Sequence, residues 1–110
     1  MKGDHIGEFE ELVLLAAHGL GGEAYSVSIQ TLLERETSRS VSLGAVYAAL
    51  TRLEEKGLLG STVVEGSAVR GGRSRRAFAL TREGQRTLAA LRRVRERLYK
   101  SGTKAAKDRA

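Results

Sequence analysis

The chain has 110 residues, a net charge of +6 at neutral pH, and no cysteine, proline or tryptophan. This length suffices for one domain with a single modest core and excludes a large enclosed active site. The lack of cysteine excludes a disulfide scaffold, a zinc finger and a thiol enzyme. No apolar run reaches the roughly 18 residues that would predict a membrane span.

The positive charge is concentrated in the second half of the chain. Residues 1–20 sum to −3, whereas residues 66–80 sum to +4 and residues 81–110 to +7. An anionic partner that contacts mainly the second half explains this split. A solvated basic helix and tail explains it equally well.

Three helices are predicted in the first half from apolar residues at helical spacing. The first runs over about residues 7–19 and the second over about residues 25–36. The third follows Ser42, which is a good N-cap residue, and runs to about Lys56. Gly57 ends it as a left-handed cap.

The outward face of the third helix consists of unusually small side chains. It carries Gly44, Ala45, Ala48, Thr51 and Arg52, where an ordinary solvent face carries Glu and Lys. Such a face allows another molecule to come close to the helix backbone. Packing against another helix is the alternative explanation.

After Gly57 the apolar period changes from 3.6 to 2, which predicts two strands over residues 59–65 and 76–80. Gly71-Gly72 between them marks a hairpin tip. Four arginines make this hairpin basic: Arg70, Arg73, Arg75 and Arg76.

Thr81 is predicted to cap a last helix that runs to about Lys100. A narrow apolar seam on this charged helix fits a contact between chains, or packing on its own domain. The seam residues are Leu88, Leu91, Val94 and Leu98. Residues 101–110 have no pattern and are expected to form a disordered basic tail.

The order of helix, helix, helix, strand, strand, helix predicts a mainly α fold with a small β-hairpin, the winged helix-turn-helix. The chain is predicted to divide into a flexible N-terminus over residues 1–5, the winged domain over 6–80 and a dimerisation helix over 81–100. The third helix then enters the major groove of DNA. The arginines of the hairpin would lie along phosphates or enter the minor groove.

The third helix also resembles that of the PadR family of bacterial transcriptional regulators. The family pattern is Gly-x-hydrophobic-Tyr, then Leu-x-x-Leu-Glu and Gly-Leu, and residues 44–58 follow it. The basic hairpin, leading into Leu80-Thr81-x-x-Gly84, resembles the family's wing and the start of its next helix. The resemblance covers roughly residues 6–100.

The resemblance implies roles for individual residues. Tyr47 corresponds to the tyrosine that tends to meet the DNA backbone, and Ser42 to a hydroxyl residue beside a phosphate. The apolar seam corresponds to the family's homodimer contact. This chain departs from the family pattern at Ala48, where many members have Pro, and at Ala77, where many have an aromatic residue.

Two residues have competing interpretations. Tyr47 lies within the apolar stripe of the third helix, so a partly buried position competes with a DNA contact. Arg52 is followed by Glu54 and Glu55, so an ion pair on the helix surface competes with a base contact.

The sequence gives little support for a catalytic function, and no cofactor or metal is expected. The two histidines, His5 and His18, lack the further ligands that a metal site needs. No serine has an activating partner in the sequence, and the Gly-rich segment after the first helix does not follow a strand, as a dinucleotide loop would.

The leading hypothesis is a sequence-specific, dimeric DNA-binding regulator, most simply a repressor on a pseudo-palindromic operator. The alternative is a winged-helix protein-interaction module with only non-specific DNA affinity. The expected partners are double-stranded DNA and a second copy of the chain, with a small aromatic effector left open and no membrane. The expected location is the bacterial cytoplasm, at the nucleoid.

Overall fold

The computed structural model describes residues 5–66 and 74–109. It confirms the predicted winged helix fold of helices with one antiparallel hairpin. A single 3₁₀ turn, Gly21–Glu23, follows the first helix. The elements in chain order are α1 (Glu8–Leu20), α2 (Ser26–Thr37), α3 (Leu43–Glu55), β1 (Leu59–Val64), β2 (Arg75–Leu80) and α4 (Arg82–Arg109).

One hydrophobic core joins α1, α2, α3 and the hairpin. Each helix contributes side chains at spacings of three and four residues, which places them on one face. Leu14, Ile29 and Leu53 are among the largest side chains that are fully buried. Phe78 from β2 and Leu88 from α4 close the core at its edge.

Local signals set both ends of α3. The Ser42 hydroxyl accepts a hydrogen bond from the Ala45 backbone N–H at 3.0 Å, which satisfies a donor that the first turn leaves free. Gly57 follows the helix with φ of +76°, a conformation that L side chains rarely adopt. The predicted start and stop of this helix are therefore confirmed.

The hairpin pairs Leu59 with Leu80 at its base and Val64 with Arg75 at its outer end. The Phe78 backbone N–H also donates to the Ala24 carbonyl at 2.8 Å, which ties β2 to the chain just before α2. The hairpin is thus fixed beside the start of α2.

The start of α4 is packed tightly against the turn before β1. The Thr81 hydroxyl accepts from the Gly84 N–H at 3.0 Å and donates to the Gly57 carbonyl at 2.7 Å. A Cβ added at Gly84 would lie only 2.1 Å from the Leu58 carbonyl oxygen. The glycine of the Leu-Thr-x-x-Gly motif is therefore required by close approach of two backbones.

The predicted end of the last helix near Lys100 is wrong, and so is the disordered tail predicted from residue 101, because α4 continues to Arg109. Ala105, Ala106 and the neighbouring lysines favour helix, whereas Gly102 and the weaker helix formers Ser101, Thr103 and Asp108 oppose it. The outer half of α4 projects from the domain. The radius of gyration is accordingly 16.8 Å, against roughly 13 Å for a compact chain of 100 residues.

Within the described parts of the chain, no helix is both long enough and apolar enough to cross a membrane.

Candidate nucleic-acid interface

The outward face of α3 is exposed and almost free of bulky side chains. Val46, Leu50 and Leu53 turn one side of the helix into the core. The opposite side presents Gly44, Ala45, Ala48 and Thr51 to solvent. Because these side chains are short, a partner can approach the helix backbone closely, as major-groove binding requires.

Tyr47 stands at the edge of this face rather than in the core. Its side chain is 53% exposed, although its spacing places it in the apolar stripe. It lines an open cleft of about 1460 Å³ between the start of α2, α3 and the hairpin. Ser42, at the start of α3, is also exposed.

The two hairpin arginines that the structure describes are held beside this cleft. The Arg75 guanidinium lies 4.2 Å from the centre of the Tyr25 ring, a cation–π contact. Arg76 donates to the Ser61 hydroxyl at 2.9 Å, and that hydroxyl donates to Glu54 at 2.7 Å. Both side chains remain exposed. The structure thus brings two basic groups next to the small face of α3.

Arg70 and Arg73, the other two arginines predicted to contact DNA, lie outside the described residues.

Arg52 is engaged in an ion pair that links α3 to α1. Its Nε lies 2.6 Å from Glu10 Oε2, and the Nζ of Lys56 lies 2.7 Å from Glu10 Oε1. The acid that competes for Arg52 is therefore Glu10 and not one of the two glutamates that follow it in the helix. The Arg52 side chain is still 52% exposed.

Glu10 is the charged centre of this contact. Its side chain is only 9% exposed. Burial by itself raises the pKa of Glu10, but the hydrogen bonds from Lys56 and Arg52 outweigh burial and leave the pKa below its ordinary value. The carboxylate is therefore ionised at neutral pH and holds two cations of α3 against α1.

Glu10 lies in the first turn of α1, where the helix dipole favours an acid. A stronger signal was available, because Glu10 precedes Val13 and Leu14 by three and four residues on the buried side of α1. A carboxylate at such a position needs a cationic partner from another element.

A second carboxylate of α1 anchors α4. Arg95 makes two hydrogen bonds to Glu11, one of them from Nε at 2.7 Å. The Glu11 hydrogen bonds raise the pKa of Arg95 above its ordinary value. This pair ties the middle of α4 to α1.

The predicted dimer seam divides into two parts. Leu88 is only 8% exposed and lies in the core of its own chain, so it has no surface to offer a second copy. Val94 and Leu98 are 42% and 67% exposed, and Leu91 is half-buried. The apolar side chains that remain available begin at Leu91.

In residues 5–66 and 74–109, no group of three or more His, Asp or Glu side chains is placed to hold a metal ion.

Comparisons with known proteins agree with the winged helix fold. Residues 14–90 match the transcriptional regulator PadR-like family. A comparison with curated proteins gives no match.

Solved structures give the same result. A PadR-like transcription factor from Bacteroides fragilis is 28% identical, with a TM-score of 0.72 over 88% of each chain. A PadR family regulator from Clostridium difficile is 25% identical, with a TM-score of 0.69 over 91% of this chain and 99% of that one.

Bacillus subtilis PadR, solved in complex with operator DNA, shares the fold at 16% identity. Its TM-score is 0.65 over 76% of this chain and 46% of that one. The family match covers well over half of the present sequence. The chain therefore belongs to the PadR-like family of transcriptional regulators.

Proposed function

We propose that this chain is a homodimeric transcriptional repressor that binds a pseudo-palindromic operator through α3 and the hairpin. The observation that carries the proposal is the exposed small face of α3, flanked by basic side chains of the hairpin. The Bacillus subtilis relative, solved with operator DNA, supports this choice of partner.

The proposed contacts divide into base readout and phosphate binding. Gly44, Ala45 and Ala48 let the α3 backbone enter the major groove, where Ala methyl groups can contact the thymine methyl group. Ser42 and Tyr47 lie beside this face and would meet the DNA backbone.

Arg75 and Arg76 would bind phosphates on the side of the hairpin, together with Arg70 and Arg73, which the structure does not describe. Arginine suits this role because its guanidinium pairs with phosphate in a two-pronged geometry.

Arg52 is proposed to contact DNA while it keeps its ion pair with Glu10. Half of its side chain is exposed, but its Nε is bound to Glu10. It can reach DNA with its outer nitrogens while the ion pair keeps the guanidinium in place, so a base or phosphate contact need not break that pair.

A second copy of the chain would pair along Leu91, Val94 and Leu98. Two-fold symmetry would present two α3 helices to successive major grooves about 34 Å apart, which predicts a pseudo-palindromic operator. Repression follows most simply from this geometry, because a bound dimer occupies DNA that the transcription machinery needs.

Selection of bound sites from random duplex DNA at near-physiological salt tests the proposal. We expect enrichment of an inverted repeat whose half-sites are about one helical turn apart. If each dimer contacts roughly 6–10 phosphates, log K against log salt should have a slope of about −5 to −9. Weak binding without any enriched site would contradict the proposal and favour a protein-interaction module.

A matched pair of variants locates the interface. Ala48→Asp adds a negative charge to the exposed face of α3 and should weaken operator binding at least about 100-fold, because it brings a carboxylate next to DNA. Ala106→Asp makes the same change on the exposed outer part of α4 and should leave operator binding within about twofold. Fluorescence anisotropy with the selected duplex measures both. Equal affinities for the two variants would remove α3 from the interface.

The hairpin is tested with Arg75→Gln and Arg76→Gln together. Loss of two phosphate contacts should reduce affinity for all duplexes and make the salt slope about 2 shallower per protomer. Unchanged affinity for both operator and unrelated DNA would refute the hairpin assignment.

A further inference from the structure

The side of α4 that faces away from its own domain carries a row of cations, with one gap between Arg86 and Arg93. Gly84, Leu88 and Arg95 mark the side that packs on the domain. At 100° per residue, six basic residues fall within a sector of about 60° whose centre lies roughly 170° from that side. They are Arg82, Arg86, Arg93, Arg97, Lys100 and Lys104, and we call them the cationic stripe.

The cationic stripe is exposed along its whole length. Within the described residues, its ion pairing is limited to Arg86 with Glu83 at 3.7 Å, and both of these side chains are more than half exposed. Arg95, on the domain side of the same helix, has its charge matched by Glu11. The protein therefore neutralises the inner side of α4 and leaves the outer side positive.

When nothing is bound to the cationic stripe, the spacing of its charges destabilises α4. Arg82 and Arg86, Arg93 and Arg97, and Lys100 and Lys104 are like charges four residues apart, where side chains are neighbours and repel each other. The acids of α4 lie to the sides of this row rather than within it. A polyanion lying along the row would relieve the repulsion.

We propose that the cationic stripe binds the phosphate backbone of a second DNA duplex, without sequence preference, while α3 holds the operator. The stripe spans about 33 Å of helix, close to one turn of duplex DNA at about 34 Å. Four of its six members are arginines, which bind phosphate well. The bridging of two duplexes rests on the proposed function, whereas binding of DNA to the stripe does not.

The side-chain composition favours DNA over an anionic lipid surface. A helix that lies in a membrane interface needs a broad apolar face beside its basic one. The apolar residues of α4 form only a narrow seam, Leu91, Val94 and Leu98, centred roughly 125° from the stripe. In the proposed dimer that seam is covered by the second copy.

A two-duplex capture assay tests the proposal. Beads carrying the selected operator duplex are saturated with protein and washed, and a fluorescent 30-base-pair duplex of unrelated sequence is added at about 50 mM KCl. We expect the second duplex to be retained in proportion to bound protein and released as salt rises, because the contacts are to phosphates.

Two variants with the same charge change show which side of α4 is responsible. Arg93→Gln with Arg97→Gln removes two members of the stripe. Arg92→Gln with Arg109→Gln removes two exposed arginines of the same helix outside that sector. The first should reduce capture about tenfold or more and make its salt slope about 2 shallower, while the second should retain capture within about twofold.

Equal loss of capture in both double variants, or no capture by the unmodified protein, would overturn the proposal. A failure of the proposed function is visible earlier, as lack of retention on the operator beads. The capture step is then run on protein immobilised through an N-terminal tag, so the stripe is tested in either case. Binding of vesicles containing phosphatidylserine without capture of duplex would assign the stripe to lipid and also overturn the proposal.

Discussion

Replacement of Glu10 by Gln tests whether the link between α1 and α3 stabilises the domain. Glu10 accepts from Arg52 at 2.6 Å and from Lys56 at 2.7 Å with only 9% of its side chain exposed. A hydrogen bond to a charged group contributes about 1.5–3 kcal/mol. Two such bonds would sum to about 3–6 kcal/mol, but the two donors are 52% and 25% exposed, so solvent screening reduces that sum.

We therefore expect Glu10→Gln to lower the free energy of unfolding by about 1.5–3 kcal/mol at neutral pH. For a domain of this size, that corresponds to a fall in Tm of about 6–13 °C. Glu8→Gln is the matched control on the same helical turn. Its partner Arg39 lies 3.5 Å away, and both side chains are largely exposed, so we expect a change within about 0.5 kcal/mol.

The pH dependence gives a second readout. The pKa of Glu10 in the folded protein lies below its ordinary value of 4.5. The stabilisation is therefore complete well above pH 4.5 and is lost as pH falls through the folded pKa. The difference between the unmodified protein and Glu10→Gln should be constant at neutral pH and shrink on acidification below 4.5.

Urea unfolding followed by circular dichroism, repeated from pH 7 down to about pH 3, measures both effects. Equal stabilities of Glu10→Gln and Glu8→Gln at pH 7 would refute the argument. So would a stability difference for Glu10→Gln that stays the same in acid, because protonation must remove the charged pair.

Two further predictions concern α4. Gly84→Ala should destabilise the domain by about 1–2 kcal/mol, because overpacking against the Leu58 carbonyl exceeds the gain in helix propensity. Gly102→Ala on the same helix, with no atom within 4 Å of the added Cβ, should be neutral or slightly stabilising, and thermal unfolding compares the two. Leu98→Asp should weaken the proposed dimer at least about 100-fold in sedimentation equilibrium, whereas Tyr99→Asp, a neighbour off the seam, should not. Dimerisation unaffected by Leu98→Asp would move the interface elsewhere.

Local signals explain why the elements could be predicted from the sequence. Ser42 and Gly57 act within a single turn of chain, and the apolar spacing of α1 to α3 reflects burial of one face of each helix. The apolar pattern of the last helix stops near Lys100 although the helix continues, so the pattern predicts too short a helix. The outer part of α4 packs against no core. Its helical conformation therefore depends only on the helix propensity of its residues and on its continuation from the packed part of α4.

Part of the candidate interface can also be predicted from the sequence, because it too depends on residues that are close together in the chain. The small face of α3 can be read from residue sizes at helical spacing, and the structure leaves that face exposed. The partners of charged side chains could not be read in this way. Arg52 and Glu10 are 42 residues apart in the chain, and Arg95 and Glu11 are 84 apart.

The sequence by itself therefore determined the helices, the hairpin, their order and the concentration of positive charge in the second half. These depend on residues within a few positions of one another. The tertiary structure alone decided that Leu88 belongs to the core, that Glu10 and Glu11 fasten α3 and α4 to α1, and which side of α4 remains positive. Those outcomes depend on contacts between distant segments, and such contacts exist only once the helices have packed.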